Sequence, residues 1–281
     1  MTAAAPATAA TPYVQAPGRR PRFTDLMAAE WTKIRSVRST VWTIIIFVVV
    51  CIGLTALITW LTESHWNGPH AAARDANFVT DPTGGILDVA VFFGQLVVGV
   101  LGVIAISTEY STGVIRSSLL AVPRRLHMLA AKVTVFTGLL FVVTEVVCFC
   151  CFFIGSTILH SVLPVSLGDH NVTRAVIGGG LYLTVIGIFS LAIGALIRHS
   201  AGSIATVMGV LFLLPIFAPL LPDSWGAHIN AYLPYQAGEV ITHSGQPASQ
   251  LLSAWQGLGV LGIWTALLLG AAAILLQRRD A

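Results

Sequence analysis

The sequence predicts an all-α polytopic membrane protein: six transmembrane helices, a cytoplasmic amphipathic helix ahead of them, and short outer-leaflet helices before the last span. Three observations carry that prediction. Six apolar runs, Val41–Leu61, Ile86–Ser107, Val133–Leu159, Ala175–Ile197, Ala201–Leu221 and Ala254–Leu276, each hold 21 residues or more. At about 1.5 Å per helical residue each is long enough to cross ~30 Å of hydrocarbon. Charged residues make up only 10% of the chain against 56% hydrophobic, with a mean hydropathy of +0.83, which excludes a water-soluble domain with an ordinary charged surface. Finally, thirteen of the fifteen Lys and Arg residues fall in alternate gaps between the runs. Basic segments near span ends are retained in the cytosol, so both termini are expected inside and the gaps 62–85, 160–174 and 222–253 outside.

The net charge of +3 does not imply a nucleic-acid partner, because the basic residues sit where anionic inner-leaflet lipids attract them. Residues 1–22 are rich in Ala, Thr and Pro, lack periodicity and hold no apolar core of signal-peptide type, so a disordered cytoplasmic tail is expected. The remainder, 23–281, reads as a single transmembrane domain. From Phe23 the pattern turns helical: Thr24 is placed to cap, Asp25 suits the first turn, and Phe23, Met27, Trp31, Ile34 and Val37 share one arc. Glu30 and Arg38 intrude on that stripe. A helix lying along the inner membrane surface is expected here, with a plain extension of the first span as the alternative.

The inside loop 108–132 reads TEYSTGVIRSSLLAVPRRLHMLAAK. Thr108 is an N-cap candidate with Glu109 in the first turn, Ile115, Leu119 and Val122 recur at helical spacing, and Pro123 ends the pattern before Arg124 and Arg125. This short amphipathic helix is either a docking surface or an ordinary interfacial loop. In the third span, Glu145 is an ionisable group at mid-membrane, where a charge costs on the order of 2.5–3.5 kcal/mol on translocon scales. It is either a substrate-path residue or a neutral acid hydrogen-bonded to a neighbouring helix. The four cysteines, Cys51, Cys148, Cys150 and Cys151, lie inside apolar runs without zinc-site spacing, so neither a metal nor a disulfide is expected.

Gly178, Gly179, Gly180, Gly187 and Gly194 line the fourth span with small residues for close helix approach. Pro215, Pro219 and Pro222 crowd the outer end of the fifth and should kink or stop it. The outside gap 222–253 has no Lys or Arg yet carries Trp225, Ile229, Tyr232, Leu233 and Tyr235. One or two short helices dipping into the outer leaflet are expected there, with an aromatic interface belt as the alternative.

At AEWTKIRSVRST before the first span, and STEYSTGVIRSSLLAVPRRLHMLAAK between the second and third, the chain resembles the permease subunits of six-helix ATP-binding-cassette (ABC) exporters, particularly those of high-GC Gram-positive bacteria. The resemblance runs from about Thr24 to Arg279, with Glu109-Tyr110, Thr112-Gly113, Ile115-Arg116, Leu120 and Pro123-Arg124-Arg125 as its strongest part. It implies a bacterial plasma-membrane permease, a second permease copy or paralogue, and cytosolic ABC ATPase subunits that dock on the inside loop. The docking and coupling residues it implies are Glu109, Tyr110, Gly113, Arg116, Arg124 and Arg125, with Trp31, Lys33 and Arg35 on a connecting helix beside the same interface. Export is part of the implication; the substrate is not identified, and an apolar lining would suit an amphiphilic or hydrophobic one.

No stretch reads G-x-x-x-x-G-K-[ST], and the two lysines, Lys33 and Lys132, follow Thr and Ala, so no phosphate-cradling loop of that type exists on this chain. No cofactor is expected on it; ATP and magnesium belong to the partner subunit. An intramembrane protease is disfavoured, since Ser190 and Ser203 lack a Gly-x-Ser-Gly setting and every histidine lies in a gap or at a span end. The remaining alternative is an ion-coupled secondary carrier or channel using Glu145.

Overall fold

A computed structural model describes residues 22–66, 76–111, 125–245 and 250–278. Among them there is no strand, and six helices are long and apolar enough to span a membrane. The chain opens with α1 (Phe23–Ser36) and passes through a single extended residue, Val37, into α2 (Arg38–Ser64), the first span. After the short α3 (Ala76–Thr80) come α4 (Pro82–Ser111) and α5 (Arg125–Ile158), the second and third spans, and then α6 (Val172–Ile197), the fourth. Successive spans run in opposite directions, so α1 and the end of α11, the last span (Ala254–Arg278), lie at one end of the bundle. That end is termed basal and the other distal.

α6 is the centre of the structure and the most deeply buried span, packing against α4, α5 and α11. Its glycines explain why. A Cβ on Gly102 of α4 would collide with the Gly187 carbonyl, and one on Gly194 would meet Val103 and Ile106. The α4 and α6 backbones therefore approach closely enough for dispersion to hold them without a hydrophobic drive, which lipid does not supply. Tyr182 of α6, fully buried, donates a 2.6 Å hydrogen bond to Gln95 of α4. The hydroxyls of Thr144 (α5) and Thr184 (α6) meet at 3.0 Å and both reach the Gly180 carbonyl. These seam hydroxyls thus find partners that lipid would not offer.

The six apolar runs lie inside these helices, except that Leu221 falls just beyond the fifth span, Ser200–Leu220. α6 reaches that span through Arg198, which sits in the left-handed region at φ 60° and φ-reverses the chain within two residues. The fifth span is regular only over α7 (Ser200–Met208). It widens to a π turn at Gly209–Leu213, returns to α over α8 (Leu214–Phe217) and tightens to 3₁₀ at Ala218–Leu220. Prolines at its distal end predict a kink there, but the irregularity begins six residues earlier than Pro215. The ring of a proline clashes with the carbonyl four residues back, here Leu211, and the π turn is where that carbonyl is accommodated.

Distally, α9 (Asp223–Ala231) and α10 (Pro234–Glu239) follow, and a 3₁₀ turn at Val240–Thr242 buries Ile241 completely against α6. α10 packs on α11. The segment is therefore part of the fold, as its apolar content required. Cys51, Cys148 and Cys151 are buried and all four cysteines are free.

Placing a side chain in the α4–α6 seam should separate the two helices. Gly102→Leu is expected to cost about 1–3 kcal/mol through overpacking, read as a thermal unfolding midpoint several degrees lower for the detergent-solubilised protein. Gly138→Ala, where nothing lies within 4 Å of the added Cβ, should leave the midpoint unchanged or raise it.

Candidate functional site: a basal ion cluster

The most concentrated charge among the described residues is at the basal end. Glu30 of α1 is 4% exposed and divides its carboxylate between the chain's two lysines: Oε1 takes Lys33 Nζ at 2.6 Å and Oε2 takes Lys132 Nζ at 2.6 Å. Glu109, near the end of α4, accepts from the same two ammonium groups on Oε1, at 3.0 Å from Lys33 and 2.9 Å from Lys132. Two anions and two cations alternate around a closed circuit. Its members come from α1, α4 and α5, so it fastens the amphipathic helix to the second and third spans. Lysine fits this role because its compact ammonium offers three donors from one nitrogen, enough to meet both carboxylates at once.

Burial alone would push the Glu30 carboxyl up, but the Lys132 charge and the hydrogen bonds from Lys132 and Lys33 outweigh it and hold Glu30 below the usual carboxylate range. Burial likewise works against the Lys33 ammonium, while Glu30 and Glu109 more than compensate and raise it. Beside the circuit lies a cavity of about 350 Å³ between α1, α2, α4 and α5, with Glu30, Lys33, Glu109 and Lys132 on one wall and Val37, Leu101 and Phe136 among its apolar lining. Nearby, Tyr110 is stacked under the Arg198 guanidinium, 5.0 Å from the ring centroid, and Ser200 donates to Ser107 at 2.8 Å. These two contacts tie the start of the fifth span to the end of α4.

The structure departs from the local reading of the sequence at several points. Thr24 does not cap α1; Arg22 precedes the helix, and its N–H is taken by Asp25 Oδ2 at 2.9 Å. The buried point of α1 is Glu30, while Phe23, Trp31 and Val37 of the expected apolar arc are each at least 40% exposed. The residue that interrupts the stripe is its anchor, because two ammonium groups outweigh an apolar contact there. Thr108 and Glu109 do not start a loop helix but continue α4, with the Thr108 hydroxyl donating back to Ile104 O at 2.8 Å.

Of the expected coupling residues, then, Glu109 and Lys33 are brought together, Tyr110 lies close by, and Trp31 and Arg35 face outward on α1. Gly113, Arg116 and Arg124 lie outside the described residues, as does the side chain of Arg125. Glu30 and Lys132 are the participants that pattern reading missed. A signal existed: lysine occurs twice against thirteen arginines, and both copies serve this circuit. In α5, Glu145 is seated against Gly180, where a Cβ would collide with its carboxyl group, and neither of its oxygens has a hydrogen-bond partner. Of the two alternatives the sequence leaves for Glu145, the acid hydrogen-bonded to a neighbouring helix has no such bond among the described residues.

A family profile described as ABC-2 family transporter protein matches residues 26–218. The chain belongs to that family. It is accordingly the multi-pass membrane component, the permease subunit, of an ABC transporter, a class whose members work with ATPase subunits and whose permease component is typically not itself catalytic. The matched region begins inside α1 and includes all four residues of the basal circuit. It stops at Ala218, before α9, α10 and α11. A comparison with curated proteins finds no match.

In this ABC-2 permease, breaking one side of the circuit should cost more than removing a whole pair. Glu30→Ala leaves Lys33 and Lys132 sharing Glu109 as their carboxylate in the circuit, one buried positive charge in excess, and is expected to destabilise by about 3–5 kcal/mol, whereas Glu30→Leu with Lys132→Met, which keeps the Lys33–Glu109 pair, should cost much less than the two single changes added; a thermal-unfolding double-mutant cycle measures this. The pH dependence has a definite sign. The depressed Glu30 contributes stability that is full above its ordinary value of 4.5 and lost as pH falls through its lowered value in the folded protein. Raised Lys33 contributes stability that is full below 10.5 and lost as pH climbs through its higher folded value. A plateau in the unfolding midpoint between these limits, absent in the double variant's acid limb, is the expected profile.

Proposed function

We propose that this permease subunit exports an amphiphilic or hydrophobic substrate, as one half of a dimer with a second copy or a paralogue, with its basal end and both termini in the cytosol. ATP hydrolysis by separate cytosolic subunits would drive it. The observation that carries the reading is the Glu30–Lys33–Glu109–Lys132 circuit. It joins α1 to the end of α4 and the start of α5, the two helices that flank residues 112–124, so a push on that segment would be delivered to three helices at once. Arg116, Arg124 and Arg125, with Tyr110 and Gly113, supply the ATPase-facing surface in this reading, and Trp31 and Arg35 extend it along α1. Glu109 and Lys33 support that surface from behind.

Two further features agree. α2, the fifth span and α11 are the least buried spans within the single chain, leaving apolar surface for lipid and for a second copy. An apolar cavity of about 240 Å³ opens between α6, the fifth span and α11, lined by residues including Phe189, Ile193, Val210, Leu214 and Trp264. Such a lining suits a substrate with a large apolar part. Glu145 is assigned to the substrate path, where its unpartnered carboxyl group would meet a hydrogen-bonding or cationic portion of the cargo.

The second reading, an ion-coupled carrier or channel, rests on that same unpartnered carboxyl. Reconstitution with and without the ATPase subunit separates the two. ATP-dependent movement of a fluorescent amphiphile into inside-out vesicles, lost on omitting the ATPase, is the expected result; proton-driven transport by the lone chain, abolished in Glu145→Gln, would favour the carrier. Within the exporter, Arg116→Glu with Arg124→Glu should abolish co-purification of the ATPase, and Lys132→Met should lower transport per ATP hydrolysed at least tenfold without removing the protein from the membrane.

A further inference from the structure

We propose that Asp88, Glu239 and His243 form a binding site at the distal end for one divalent transition-metal ion, Zn²⁺ by its ligand chemistry, that fastens the α10 segment to α4. One ligand atom from each of the three residues falls within 4.8 Å of the others. His243 Nε2 stands 3.8 Å from Asp88 Oδ1, and tetrahedral ligands at about 2.0–2.2 Å from zinc lie roughly 3.4 Å apart, so a small side-chain rotation closes the site. Asp88 Oδ1 is a buried atom with no hydrogen-bond partner.

The imidazole is held in the orientation a metal needs. His243 Nδ1 lies 3.1 Å from Asp81 Oδ2, which occupies that nitrogen and leaves Nε2 turned toward Asp88. Asp81 is itself fixed by the Ser244 hydroxyl, by the Ser244 N–H at 3.3 Å and by the Gly84 N–H at 3.1 Å. This carboxylate–histidine pairing is what sets the tautomer and raises the basicity of a metal-binding imidazole. Gly84 is required by the arrangement, since a Cβ there would collide with both Asp81 Oδ2 and His243 Nδ1. Arg174 donates to the carbonyls of His243 at 2.8 Å and Ile241 at 3.4 Å, pinning the backbone that carries the ligand.

The donor set selects the ion. Two carboxylates with one imidazole suit a borderline cation rather than Ca²⁺ or Mg²⁺, and among those available Zn²⁺ outbinds Mn²⁺ at such a site, with water completing its shell. Asp81, Asp88 and Glu239 lie about one imidazole, with Arg174 as the nearby cation acting on Asp81, so acidic groups outnumber basic ones and a dication is attracted there. Asp81 and Asp88 lie inside the family match and Glu239 and His243 beyond it, since the match ends at residue 218, and the inference does not depend on what the permease carries.

The test uses the full chain purified in detergent, stripped with a chelator and titrated calorimetrically with Zn²⁺, Mn²⁺ and Mg²⁺. Saturation at one Zn²⁺ per chain, weaker Mn²⁺ and no Mg²⁺ binding are expected. Glu239→Gln with His243→Gln should weaken Zn²⁺ at least tenfold, and Asp81→Asn, which keeps all three ligands, should weaken it about 10–100-fold. Zn²⁺ should raise the unfolding midpoint of the unaltered chain and not of the double variant. Co²⁺ loading of the unaltered chain provides a readout that needs no variant: visible d–d bands without a thiolate charge-transfer band support the site. Absence of saturable Zn²⁺ binding, unchanged affinity in the double variant, or a thiolate band pointing to the cysteines would each overturn it.

Discussion

Four ionisable side chains share one pocket at the base of this bundle because none of them could be buried there alone. A single carboxylate or ammonium removed from water costs several kcal/mol, and the cost is met only when opposite charges close on each other in good geometry. Glu30 links both lysines, and Glu109 receives both on one oxygen. The consequence is architectural. α1 carries its apolar residues at least partly exposed and is held to the bundle by a polar contact, so its position relative to α4 and α5 is set by charge alternation rather than by the depth of an apolar face. Electrostatics of this kind specifies a unique register where a greasy helix on a greasy surface would have many.

The six spans were legible because length and hydropathy are properties of each segment alone. The circuit was not, because Lys132 lies 102 residues from Glu30 and an amphipathic pattern assumes lipid as the partner for its apolar side. Glu30 therefore read as a blemish on a stripe. The π turn at Gly209–Leu213 was half legible: the prolines announced a disturbance, but their effect is felt at the carbonyl four residues back and so appears upstream of them. Glu145 resisted for a different reason. The sequence offers hydroxyl-bearing neighbours, and Thr144 and Thr184 spend theirs on the Gly180 carbonyl instead. Asp81, Asp88 and His243 were each visible, yet nothing in the chain's order says that α4 and the end of the α10 segment meet.

The middle of the molecule and its two ends are held together by opposite means. In the middle, α6 is joined to α4 and α5 by removing side-chain atoms, so that backbone meets backbone and hydroxyls satisfy carbonyls. At the basal and distal ends, where water reaches, charged and hydrogen-bonding groups take over: four alternating charges below, an imidazole between carboxylates above. A membrane interior makes that division natural, since polar contacts are costly to leave unmade in lipid and apolar ones give no net drive there.

Val37 gives the basal end a mechanical character. A one-residue link keeps the last Cα of α1 within about 7 Å of the first Cα of α2, so α1 can swing but cannot slide. Its fourteen residues make an arm about 21 Å long, and a tilt of about 10° moves the Phe23 end by roughly 3.7 Å but Lys33 by only about 1 Å. The ionic circuit grips the inner half of that arm, from Lys33 out to Glu30 at its midpoint, and the aromatic end lies beyond it. A displacement of Glu30 is thereby about doubled at the Phe23 tip.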